Sequence, residues 1–195
     1  MFKKSKAILL VLISLAFISM FLYFIFTFIV KKNDVFLVNE IKEYNYICKS
    51  TASNLYKEKF NELSDILKEE VDYELYAKKI VELFVIDFYT LDNKDNKNDI
   101  GGLQYIYDDI KENFIINATN TIYKYLKTNI FGNRNQELPI VNKIISVESE
   151  LTEYNEYEAY VIKIKWDYLK DLQYEDEGKF TVINKDNKMY IIEKE

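Results

Sequence analysis

Twenty-four consecutive residues, Ala7–Val30, read AILLVLISLAFISMFLYFIFTFIV and carry no charge. Only Ser14, Ser19, Tyr23 and Thr27 interrupt the hydrocarbon. As a helix rising about 1.5 Å per residue the stretch reaches about 36 Å, enough to cross a ~30 Å bilayer core with all backbone groups paired internally. A buried core helix would need a polar face, and none exists. A cleaved leader would have a shorter apolar core and a small-x-small site after it. The exit here is FIVKKNDVF, without such a site and without a nearby cysteine. The expectation is therefore an uncleaved signal-anchor, a transmembrane helix contacting the lipid bilayer through Ala7–Val30. Lys3, Lys4, Lys6 and the N-terminal amine outnumber Lys31 and Lys32, which places residues 1–6 in the cytoplasm and 31–195 outside it.

Charge divides the chain in the same way. No acid precedes Asn33, so removing Lys3, Lys4 and Lys6 leaves 23 basic against 32 acidic residues, a balance of −9. Such a surface repels phosphate backbones, and no nucleic-acid partner is expected. Cys48 is the single cysteine, which rules out an intramolecular disulfide. The chain has no histidine, which excludes hydrolytic triads that use one.

The residues from 31 to 195 suffice for one domain with a core of its own. Val35–Cys48 is rich in β-branched and aromatic residues, and part of it predicts a strand. Ser50–Leu67 changes period, with Leu55, Phe60, Leu63 and Leu67 on one helical face. Asp72 is a candidate N-cap for a second helix with Glu74 in its first turn. Its apolar stripe is Leu75, Tyr76, Ile80, Leu83, Phe84 and Phe88. After the polar loop Leu91–Gly102, helical period resumes through Leu103, Ile106, Ile110, Phe114, Ile122 and Leu126, with Gly132 as a stop. From Pro139 the period becomes two. Ile145, Val147 and Leu151 alternate with polar residues, as do Tyr160, Ile162, Ile164, Trp166 and Tyr168. Phe180–Ile183 and Met189–Ile192 follow, joined by the turn Asn184–Asn187. Helices first and an antiparallel meander last predict an α+β domain.

An N-terminal anchor, helices and then a curved antiparallel sheet resembles the cystatin-like, or nuclear-transport-factor-2-like, cone. Membrane-anchored versions include extracytoplasmic domains of type IV secretion and TcpC-type conjugation components. The strings FVIDFYTLDNK, NDIGGLQYIY, RNQELPIVNKI and IKWDYLKDLQYEDEGKFTVINKDNKMYIIE are similar to those of uncharacterised single-pass membrane proteins of Gram-positive-type bacteria. The resemblance implies helices packed on a curved sheet and brings no site residues with it.

Several residues are candidate sites. The Asp/Asn-rich loop Leu91–Gly102 invites calcium, yet an EF-hand register starting at Asp92 or Asp95 puts Lys94 or Lys97 where an oxygen ligand belongs. A solvated connector turning through Gly101 and Gly102 accounts for it better. Asp87 interrupts an apolar stretch and would be a functional candidate if buried; a capped structural carboxylate is the simpler account. Tyr76, Tyr89 and Tyr105 read as core or rim aromatics with hydroxyls reaching water. Cys48 reads as a buried strand-end residue, and the sequon Asn117-Ala118-Thr119 as chance. No catalytic, cofactor-binding or metal residue is assigned, and no cofactor is expected.

The function expected from these features is a membrane-anchored extracytoplasmic interaction module, a non-enzymatic subunit of an envelope or conjugation/secretion assembly, with other envelope proteins or a second copy as partners. The alternative is an extracytoplasmic small-ligand-binding or sensory domain. A hollow interior of a few hundred Å³ favours the alternative, and a cone filled by Trp166 and Tyr168 opposes it. An enzyme would need a carboxylate within hydrogen-bond reach of a tyrosine in that hollow.

Overall fold

The structure is a computed structural model and describes residues 17–21, 39–68 and 70–195. The chain divides into two compact units, Met1–Leu37 and Val38–Glu195. In the first, residues 17–21 are helical and exposed. The remainder of Ala7–Val30 lies outside the described residues.

The expected fold class needs correction on this point. No helix among the described residues is long and apolar enough to cross a membrane. The longest, Tyr73–Tyr89, has 17 residues and carries Glu74, Lys78, Lys79, Glu82 and Asp87. At about 1.5 Å per residue it falls short of a ~30 Å bilayer core, and its charges would be stranded there. The described architecture is α+β without a transmembrane helix, and the single-pass and signal-anchor assignments have no support in it.

The second unit opens with a small hairpin, β1 (Glu40–Ile41) and β2 (Tyr46–Ile47), around a 3-10 turn at Lys42–Tyr44. Three helices follow: α1 (Asn54–Ile66), α2 (Tyr73–Tyr89) and α3 (Asp108–Asn120). The chain ends in a sequential antiparallel meander of β3 (Val141–Tyr154), β4 (Tyr157–Tyr168), β5 (Glu177–Lys185) and β6 (Lys188–Lys194).

Local chemistry sets the helix starts. Ser53 caps α1 by accepting from the Tyr56 amide at 3.1 Å. Asp72 caps α2 by accepting from the Leu75 amide at 3.0 Å, as its sequence position predicts. The buried stripe of α1 is Tyr56, Phe60, Leu63 and Leu67, with Leu55 only partly covered. Helix α2 touches α1 and all four strands of the meander. That makes it the middle layer, and it is buried on most sides rather than along one stripe; of the stripe expected from the sequence, Leu75 is exposed, at 44%. Even its charged residues are used. Lys79, only 6% exposed, bridges Glu62 of α1 at 2.5 Å and Glu82 at 2.7 Å, closing the seam between the two helices.

The long helical pattern after Leu103 is broken. A 3-10 turn at Leu103–Tyr105 gives way to extended backbone at Ile106, which pairs with Ile191 of β6. The Tyr107 amide donates to the Ile191 carbonyl at 3.0 Å. Only then does α3 begin, and it stops at Asn120, well before Gly132. Tertiary pairing with a strand some 80 positions later overrides the local period here.

In the meander, β4 buries Tyr160, Ile162, Ile164, Trp166 and Tyr168, the face its alternation predicts. The β5–β6 turn has Asp186 and Asn187 at φ 53° and 61°, the conformation a two-residue hairpin loop requires. Strand β3 is an edge and behaves differently. Its register shifts at Val141/Lys143 and Ile144/Ser146. Ile145 is consequently exposed rather than inward, while Ile144 and Val147 pack on the core; Leu151 shares the face of Val147 opposite Tyr160 but is exposed towards the strand end.

The β3–β4 turn holds Asn155 and Glu156 at φ 45° and 75°. A residue with a Cβ is disfavoured there by about 1–2 kcal/mol, part of which glycine recovers after its own entropy cost. Glu156→Gly is expected to raise stability by about 0.5–1 kcal/mol, read as a higher thermal midpoint. A lower midpoint would mean that the turn is not left-handed at this position.

Candidate functional site

The apolar rings of α2 and α3 line a hollow. Phe84, Phe88 and Phe114 meet with ring centroids 5.1 to 5.8 Å apart, and Phe180 of β5 lies 5.5 Å from Phe84. With Ile106, Ile110, Ile122 and Ile191 they wall a cavity of about 520 Å³ between α3 and the β5–β6 hairpin. Helical spacing explains the wall. Ile110, Phe114 and Ala118 recur every fourth residue, so α3 turns one apolar edge inward and leaves Asn113 and Asn117 at the rim.

Glu175, Glu193 and Lys194 supply the rest of the rim. The Tyr89 hydroxyl donates to Glu175 Oε2 at 2.7 Å, and Lys194 Nζ reaches both carboxylate oxygens at 2.9 and 2.7 Å. Burial pushes the Tyr89 hydroxyl up, and its carboxylate partner pushes it further. The spatial condition for an acid–base pair, a carboxylate beside a tyrosine at the hollow, is thus met. Glu175 is held at the same time by Lys194 and by the tyrosine. The trio gives the cavity a polar end.

Trp166 and Tyr168 are both buried, and Trp166 lies 4.7 Å from Tyr89. They fill their own end of the sheet. The hollow lies beside them, on the β5–β6 side.

The second hollow, about 310 Å³, lies where the loop Leu91–Gly102 folds back on α2. Asp87 lines it with a side chain 20% exposed. Its Oδ1 takes Lys94 Nζ at 2.5 Å and its Oδ2 takes the Gly102 amide at 2.7 Å. A structural, capped carboxylate is what the structure shows. Lys94, 3% exposed, is the residue that sequence reasoning missed. Arg134, the only arginine of the chain, was missed as well. Its guanidinium donates to the carbonyls of Asp92 at 2.5 Å, Lys94 at 2.8 Å and Lys127 at 3.2 Å. The loop is therefore clamped rather than merely solvated. A lone arginine in a lysine-rich chain was the available signal, since a planar five-donor fork suits several carbonyls at once. Among the described residues no group of three or more acidic or cysteine side chains is placed to hold a metal ion.

The tyrosines differ from expectation in one respect. Tyr76 and Tyr105 are fully buried, and their hydroxyls do not reach water. Tyr46 and Tyr76 hydroxyls pair at 2.7 Å, and those of Tyr56 and Tyr105 at 2.6 Å. Gln104 Nε2 donates to Tyr56 at 2.8 Å. Burial raises the hydroxyls of both Tyr56 and Tyr105. They are uncharged cross-links. Cys48 is buried and its thiol is pushed up by desolvation, which leaves it inert. Asn117 is exposed, but it sits inside α3, with the Thr119 hydroxyl turned back to the Ile115 carbonyl at 2.8 Å.

No family model, no curated protein and no solved structure matches this chain.

Proposed function

We propose that residues 38–195 form a non-catalytic binding module that receives an apolar group in the cavity between α3 and the β5–β6 hairpin. The observation that carries this reading is the cavity itself. About 520 Å³ lined by phenylalanine and isoleucine, with hydrogen-bonding groups confined to one rim, is the usual make-up of a small-molecule or side-chain pocket. Glu193 at that rim disfavours an anionic head, Glu175 being paired with Lys194, so the preferred occupant is neutral or cationic.

The test uses the single tryptophan. Trp166 lies against Tyr89, which lines the cavity, so a bound fluorophore takes energy from it. N-phenyl-1-naphthylamine, neutral and apolar, is titrated into the full chain and into Asn117→Phe. Asn117 is exposed, so this substitution plugs the mouth without entering the core. Saturable transfer in the parent and about tenfold weaker binding in the variant are expected. Identical transfer in the two would mean that the dye partitions elsewhere and that the cavity is not the site.

A further inference from the structure

We infer that the occupant of this cavity is the turn at residues 129–132 of a second copy of the chain, an inference that rests on the binding reading above. The turn is closed by the Gly132 amide donating to the Asn129 carbonyl at 2.9 Å, with Gly132 at φ 67°. Its two central residues are Ile130 and Phe131, which are 64% and 87% exposed.

Large apolar side chains at a loop tip are usually mobile. This tip is held from four directions. The Asn129 amide donates to the Asp95 carbonyl at 2.7 Å, and Asn129 Oδ1 accepts the Arg134 amide at 2.9 Å. The Arg134 guanidinium fixes the Lys94 and Lys127 carbonyls on either side. A pre-organised apolar pair loses little freedom on docking, which is the property of an interface anchor.

Charge identifies the receiving surface. From Asn113 to Gln136 the chain has no acidic residue, and it carries Lys124, Lys127 and Arg134, although the whole chain is acidic. The β6 side of the cavity mouth has the opposite character, while Asn113 and Asn117 of this same stretch form its other side. Glu193 is exposed there without an ion-pair partner among the described residues, beside Glu175. Basic flanks with an apolar tip match an apolar hollow whose one uncompensated rim charge is Glu193, and both surfaces belong to the same chain. The hollow has room for the isoleucine and the phenylalanine together. Because each copy both donates a turn and receives one, the contact either closes reciprocally into a dimer or continues head to tail.

The test is a crosslink across the contact. Full-length Asn133→Cys and Asn117→Cys chains, both keeping Ile130 and Phe131, are mixed and treated with bismaleimidoethane; Asn133 is exposed just past the turn. Cys48 is buried and stays in place. Leu151→Cys, exposed on the β3 edge, replaces Asn117→Cys as the control. The expected result is a covalent dimer from the first mixture at about ten times the control yield, because docking raises the effective concentration of the two thiols. Excess N-phenyl-1-naphthylamine should suppress that dimer. A yield equal to the control overturns the inference. If the dye still transfers in the parent and not in Asn117→Phe, that failure leaves the cavity reading standing. If dye transfer fails as well, both readings fall. All three substitutions are at exposed positions, so loss of folding does not confound the result.

Discussion

Asp87→Asn is expected to destabilise the second unit by about 3–5 kcal/mol, the range for breaking a buried ion pair while leaving one charge behind. Asparagine can still accept the Gly102 amide, so the loss is electrostatic rather than steric. What remains is the Lys94 ammonium, 3% exposed, with no other acceptor given to it among the described residues. Lys94→Met should cost less, since the carboxylate left behind is 20% exposed and keeps the Gly102 amide. The double variant should recover much of the loss, because two uncharged replacements leave no uncompensated charge. Urea unfolding measures all three, provided the m-values agree. A single-variant loss under 1 kcal/mol would show that Lys94 finds water or another acceptor.

Gly101→Ala is the second large effect, about 3 kcal/mol from overpacking. A Cβ on Gly101 would stand 2.2 Å from the Asp87 carbonyl oxygen, 2.5 Å from its carbon and 2.9 Å from the Phe88 nitrogen. All three are backbone atoms in the last turns of α2, which cannot retreat without opening the helix. The clash also separates two groups joined by Tyr123, whose hydroxyl donates to the Phe88 carbonyl at 2.7 Å and accepts the Gly101 amide at 3.1 Å. Hydrogen exchange should show the Leu91–Gly102 loop and the end of α2 loosening together. An alanine variant with unchanged unfolding would mean that the loop does not lie on the helix backbone.

Those two variants mark where sequence reasoning stops. The Asp72 cap and the alternation of β4 were legible because they depend on neighbours within a few positions: Asp72 reaches Leu75, and Ile162 shares a face with Ile164. Asp87 was legible as an anomaly, a carboxylate between Ile86 and Phe88. Its partner was not, because Lys94 sits in a loop whose composition reads as solvated. The end of α2 also escaped a periodicity argument: a helix between α1 and a sheet has no polar face, so its stripe cannot be told from its surroundings. The break at Ile106–Tyr107 needed knowledge of β6, and the clamp needed knowledge that residue 134 returns to residue 92. For the cavity, Phe114 and Phe180 were visible as core candidates, but a core and a hollow have the same residues. Only the distance between walls separates them.

Strand β3 carries a consequence for solubility. An edge of 14 residues with open amides and carbonyls is a template on which foreign strands could nucleate. The two register shifts near its start bend the template out of plane. Glu148, Glu150 and Glu153 follow along the remainder, so stacking identical segments would bring like charges together about every 4.8 Å. The price of displaying Ile145, Leu151 and Tyr154 is thus met by making the strand a poor seed for fibrils.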